Sequence, residues 1–188
     1  MDKKDIIKQT EQFMRDNIPK SRITDDGSNQ VYLTHILGAR DYALKLAEIY
    51  DADKFVLEIS ALLHDIGADV GKSHPLESAK IAKEFLSKFN LSDKIVQKIL
   101  SCIEKHSAGS KIETIEEQIM QDADGIIFIK TSSDYYFEKR KLKFPLEEAK
   151  IKSIDKVKEM MDKIKTKEGI KLAEEDFKKA MKYLESAN

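Results

Sequence analysis

Four histidines stand in the middle of the chain, and one of them, His64, is followed directly by Asp65 at the end of the apolar run Ala61-Leu62-Leu63. Imidazole and carboxylate are metal ligands and proton carriers. An ionised aspartate at the end of a buried helix needs a metal ion or a buried cation beside it. Successive helical side chains point about 100° apart, so both members of the pair reach one ion only where a helix end borders a cleft. Two other groups are placed to join them: His35 lies beside the apolar stripe of its own segment, next to Ile36, and Asp124 flanks Ile127. His35, His64, Asp65 and Asp124 form a mixed nitrogen and oxygen donor set suited to manganese, iron, cobalt, nickel or zinc, with magnesium also admitted. A His-Asp dipeptide also arises by chance in a chain with four histidines and many aspartates, so the pair alone does not establish a metal site.

The elements that must position these groups are helical. The 188 residues are 41% hydrophobic and 36% charged with seven glycines and three prolines, a composition that favours one folded helical domain large enough to stand without disulfides. Apolar residues recur three and four apart, and no stretch sustains the alternation of a half-buried strand. The pattern predicts a first helix through Ile6, Ile7, Phe13 and Met14, a polar loop at 24–29, and a second helix with Ile36, Leu37, Ala43, Leu44 and Ala47 on one face, ending near Asp51. A third, from about Asp53 to Ile66, is apolar nearly all round and reads as the central helix, with Gly67 as a left-handed C-cap. Pro75 sits in the first turn of the next. Two helices follow, through Ile95–Ile103 and Ile115–Ile127, and then a helical hairpin with arms at about 145–165 and 170–185 and its break at Gly169. The segment 131–144, polar and then aromatic and basic, fits no periodicity and is open to the role of a lid.

Composition also narrows the function. Thirty-three basic residues almost cancel 34 acidic ones, and the charges are dispersed, which argues against a nucleic-acid binder while allowing a local phosphate site. Cys102, the single cysteine, lies among Ile99, Leu100 and Ile103 and reads as a small core residue in a reducing compartment. No apolar stretch has the length of a membrane span or of a signal sequence, so no membrane partner and a cytoplasmic location are the expectations.

The order His35, then His64-Asp65 after an apolar run, then Asp124, each on a predicted helix, resembles the HD superfamily of metal-dependent phosphohydrolases. The likeness is narrower with the small stand-alone bacterial and archaeal HD hydrolases, through THILGARDYALKLA, ALLHDIG, SHPLESAKIA, EKHS and QDADG, and in the tail through FEKRKL and KTKEGIKLAEE. It implies an all-α, single-domain bundle with an HD core at about 31–130 and a C-terminal helical extension at about 145–188. It further implies a divalent metal on His35, His64, Asp65 and Asp124, and hydrolysis of a phosphate ester of a nucleotide or another small phosphorylated metabolite by activated water. Some members use two additional histidines for a second ion, a role His74 and His106 are ordered to fill. His106 alternatively binds phosphate, and both also suit helix ends as structural residues.

Asp65, His106 and Lys72 are thus the candidate catalytic residues, with Arg40, Lys72 and Lys130 as candidate phosphate-binding cations. Two departures stand out: Gly125 replaces the arginine that commonly follows Asp-Ala-Asp in the narrower branch, and Ala68 stands where nucleotidases with a single metal carry a catalytic glutamate, with Asp69 next to it. Asp122 reads either as a partner orienting a histidine ligand or as a solvated helix residue. The alternative to an enzyme is a non-catalytic module sensing a nucleotide in the same pocket. The hairpin tail offers a surface for a homodimer.

Overall fold

The 3.6-residue periodicity folds the chain into nine α-helices and two short 3-10 segments, with no strand among the described residues, 2–187 of a computed structural model. In chain order these are α1 (Lys3–Asp16), a 3-10 turn (Lys20–Arg22), α2 (Gln30–Ile49), α3 (Lys54–Leu63), a second 3-10 segment (Ala68–Ser73), α4 (His74–Leu86), α5 (Asp93–Glu104), α6 (Ile115–Thr131), α7 (Ser133–Lys141), α8 (Leu146–Asp162) and α9 (Lys167–Ser186). The all-α fold with its C-terminal hairpin is the one the sequence predicts. Among the described residues no helix is long and apolar enough to cross a membrane.

Two helices carry the core. α3 is capped by the Asp53 carboxylate, which accepts from the N–H groups of Phe55 and Val56, and it buries every residue from Phe55 to Leu63 except Glu58. α6 starts in a capping box between Thr114 and Glu117 and buries an unbroken run from Ile119 to Ile129. A helix buried on all faces must be enclosed by others, and α2, α8 and α9 all pack on α6. The approach of α2 is close enough that a Cβ at Gly38 would meet Ile127 at 2.3 Å.

The chain departs from expectation where backbone packing, which periodicity does not encode, decides the conformation. α3 stops at Leu63, short of the predicted Ile66, because the bonds from Ile66 N–H to Leu63 O and from Ala68 N–H to Asp65 O wind the chain into tighter turns. His64 and Asp65 therefore sit just beyond the helix. Gly67 is not a left-handed cap: its φ is −97°, and glycine is needed because a Cβ would lie 2.7 Å from the Ser78 nitrogen of α4. Gly169 is not the hairpin break but belongs to the first turn of α9, pressed against Asp122 and Thr166. The break is 163–166, where the buried Asp122 carboxylate accepts from Lys165 N–H, Thr166 N–H and the Thr166 hydroxyl. Asp122 thus anchors the hairpin turn, and neither role foreseen for it holds. The unassigned segment 131–144 is largely helix, α7.

Gly125 has a packing reason as well. A Cβ there would stand 2.8 Å from the Met160 carbonyl and 2.9 Å from Ile164, so its absence lets α8 lie directly on α6. Gly125→Val is expected to push the two helices apart and cost about 2 kcal/mol, a fall of roughly 4–8 °C in Tm by thermal denaturation. An unchanged Tm would show that the interface yields freely.

Candidate metal centre

His64 follows the buried end of α3, and its ring is completely enclosed. Its Nδ1 faces the carbonyl of Ala61 at 2.8 Å, three residues back. The same bond recurs at His74, to Gly71 O at 2.9 Å, and at His106, to Ile103 O at 2.6 Å. A carbonyl only accepts, so each Nδ1 carries a proton, and in the neutral ring Nε2 presents its lone pair inward. His35 comes from α2, Asp124 from α6, and Asp65 from the turn after α3.

These six side chains divide into two triads, His35 with His64 and Asp124, and His74 with His106 and Asp65, each with its donor atoms within 4.8 Å of one another. In the first, His35 Nε2 lies 3.3 Å from His64 Nε2 and 3.1 Å from Asp124 Oδ1. In the second, His74 Nε2 lies 3.0 Å from His106 Nε2 and 3.1 Å from Asp65 Oδ1. The sequence had grouped Asp65 with the first set. Here its Oδ1 faces His74, while the charges of His64 and His35 still act on it.

Both triads fit a divalent ion. Two edges of each triad, at 3.0–3.3 Å, are those expected around a cation holding its ligands at about 2.0–2.2 Å, and the third edge of each is 3.8 Å. Two inward lone pairs 3.0 Å apart repel unless a proton or a metal ion lies between them. Burial pushes His106 down to about 3 and lowers His64 as well, which keeps both rings in the neutral form that binds metal. At His74 burial is outweighed by the hydrogen bond and charge of Asp65, and its affinity for a proton rises. Burial also opposes ionisation of both aspartates, but the imidazoles with Arg22 hold Asp65, and Lys163 with His35 holds Asp124, well below the ordinary carboxylate range.

The triads open into a cavity of about 590 Å³, lined by six cationic side chains, Arg22, Lys72, Lys139, Arg140, Lys156 and Lys163, against three carboxylates, Asp65, Asp124 and Glu159. Of the cations proposed from sequence only Lys72 is there. Arg40 pairs with Glu11 at 3.0 Å and with Asp41, and Lys130 pairs with Asp176 at 3.2 Å on α9. Five and six residues along a helix amount to rotations of about 140° and 240°, so neither faces the way its neighbouring ligand does. Asp69 accepts from the N–H groups of Lys20 and Ser21, holding the 3-10 turn that carries Arg22, and does not line the cavity. The other five cations that do were not foreseen. Arg22 lies in a polar stretch and Lys163 in a lysine-rich tail, while Lys139, Arg140, Tyr135 and Tyr136 belong to the segment whose aromatic and basic character was noticed and whose fold was not.

A model of the HD domain family matches residues 32–128. The chain belongs to the HD domain family. Its fold is that of Bacillus subtilis YpgQ, 22% identical over 98% of this chain and 95% of that one with a TM-score of 0.74. It is similarly close to an HD-superfamily hydrolase from Bacillus thuringiensis, 21% identical with the same coverage and a TM-score of 0.71. YpgQ in complex with ADP superposes with a TM-score of 0.70 at 23% identity, over 95% of this chain and 94% of that one. Among curated proteins, the tRNA (cytidine(56)-2'-O)-methyltransferase of Picrophilus torridus is 26% identical over 117 residues, 56% of this chain, and the chain spans about a third of that protein's length (34%). In this HD chain the name-giving pair, His64 and Asp65, serves both triads, one residue each.

The depressed imidazoles set a pH dependence for the metal-free protein. A group lowered on folding releases its proton to fold, so stability is full above the unfolded value near 6.5 and falls as pH drops toward about 3 for His106. His64 acts in the same direction and His74 in the opposite one. His106→Gln is expected to flatten the loss of stability between pH 6.5 and about 4 in denaturant titrations, and an unaltered slope would refute the assignment.

Proposed function

We propose that this HD protein is a metal-dependent phosphohydrolase cleaving a phosphate ester of a nucleotide or another small phosphorylated metabolite. The observation that carries the reading is the meeting, in one cavity, of two histidine–carboxylate triads with six cationic side chains. A divalent ion, when bound, supplies a Lewis acid for a phosphoryl oxygen and lowers the pKa of a water molecule. His35, His64 and Asp124 would hold one such ion, and Asp65, His74 and His106 a second.

The protein's own groups do the rest. Lys72, Lys139, Arg140 and Lys156 line the cavity and are suited to receive phosphoryl oxygens and the negative charge that develops on them. Lys72 sits in the 3-10 segment just before His74, which places a cation beside the second triad. His106 thereby takes the role of ligand donor, with its Nδ1 fixed on Ile103 O, instead of touching phosphate directly. Phe128, Tyr135 and Tyr136 form an aromatic cluster on the cavity wall, with neighbouring ring centroids 5.2 and 5.6 Å apart, a surface on which a nucleobase can stack. The ADP in the YpgQ structure supports a nucleotide as the class of ligand.

The direct test is to strip the purified chain of metal, add back manganese, cobalt, nickel or zinc, and assay a panel of nucleotides with a chromogenic phosphodiester. Turnover is expected with at least one ion, and Asp124→Asn and His64→Ala are each expected to lower kcat/KM by about 10²–10³ or more. Lys139→Ala, which leaves both triads intact, is expected to raise KM by about three- to tenfold with little change in kcat. Binding of metal and nucleotide without turnover of any phosphate compound would establish a nucleotide sensor instead.

A further inference from the structure

Each carboxylate of the centre is divided between two kinds of partner. Asp124 turns Oδ1 toward His35, at 3.1 Å, and gives Oδ2 to the Lys163 ammonium. Asp65 turns Oδ1 toward His74, at 3.1 Å, and gives Oδ2 to the Arg22 guanidinium, at 3.2 Å. The two cations are themselves pinned. Lys163 Nζ is buried and also donates to the His106 carbonyl at 3.1 Å, so it joins a ligand of the first triad to the backbone of a ligand of the second. Arg22 donates a further bond to the Tyr136 hydroxyl on α7. Neither lies within residues 32–128: Arg22 comes from the 3-10 turn before α2, and Lys163 from the end of α8.

We infer that Arg22 and Lys163 are positioning residues that restrict Asp65 and Asp124 to one-oxygen coordination. A free carboxylate beside a divalent ion can close on it with both oxygens and occupy a position that water or substrate must take. With one oxygen committed to a cation, a carboxylate offers the ion a single donor. Coordination positions are thereby left open for water and substrate, as catalytic centres require. The cations also set the charge. Asp65 and Asp124 are neutralised by Arg22 and Lys163 before any metal arrives, so every bound ion adds its full charge to a cavity already rich in lysine and arginine. Such a site favours a substrate with several negative charges over a monoanion.

This inference rests on the metal-centre reading, and the experiment separates the two. The full chain is stripped of metal, and Mn²⁺ affinity is measured by calorimetry and Co²⁺ visible absorption recorded for wild type, Arg22→Met, Lys163→Met, Arg22→Lys and Lys163→Arg. In the methionine variants the freed carboxylate is expected to chelate: the Co²⁺ absorptivity falls as coordination number rises, and Mn²⁺ binds at least about threefold tighter because a neighbouring positive charge is gone. The Arg22→Lys and Lys163→Arg variants are expected to keep the wild-type spectrum. Wild-type spectra and affinities in both methionine variants, or weaker binding accompanied by a lower Tm, would overturn the inference and leave the metal centre standing. A wild-type chain that takes up neither ion would instead remove the metal centre itself. Should Lys163→Met fail to fold, Arg22→Met decides, since Arg22 is partly exposed on a short surface turn.

Discussion

Two ionised carboxylates buried among histidines are the constraint on which the arrangement depends. Leaving water costs each of them several kcal/mol, and the loss is offset only by groups that surround the oxygens closely. Here the compensation comes from imidazoles on one side of each carboxylate and a cation on the other. Because Arg22 and Lys163 belong to the segments flanking the HD core, the centre is complete only when the N-terminal turn and the C-terminal hairpin have both docked. The packing that permits this is equally specific. Gly125 admits α8 onto α6, and Asp122 fixes the turn that follows, so Lys163 arrives beside Asp124 as a consequence of backbone contact.

Much of the fold was legible in the sequence because burial imprints periodicity. The run 55–63, apolar except for Glu58 and Ser60, marked the central helix, and its expected start near Asp53 is where the N-cap stands. The residues gathered in the two triads were legible for a different reason: buried imidazoles and carboxylates have few other uses at that depth. What a linear reading misses is direction. Arg40 and Lys130 follow ligands closely along the chain yet point away, and Asp65 turns from its neighbour His64 toward histidines farther along the sequence. Long-range partners leave no local trace either. Nothing about Lys163 distinguishes it from the lysines around it until α8 is packed on α6.

Glycines carried a further lesson. Gly67 and Gly169 were first read as punctuation, whereas both are positions where another chain segment comes too near for a Cβ. Gly125, a departure by its residue type, is the condition for the close approach of α8 to α6. A substitution relative to relatives therefore has to be judged with its surroundings, since the group removed at one position can be supplied by an element that its removal brings closer.

The repeated tether from a histidine Nδ1 to the carbonyl three residues earlier, at His64, His74 and His106, has a consequence for ion choice. A ring held at both its backbone and its Nδ1 cannot readily swing to follow a larger or smaller ion, so the Nε2 donors would keep their spacing and an ion would have to suit it. Intrinsic affinity of nitrogen ligands for transition metals is then tempered by ionic radius. Calcium, which prefers longer bonds and more oxygens, is disfavoured on both counts.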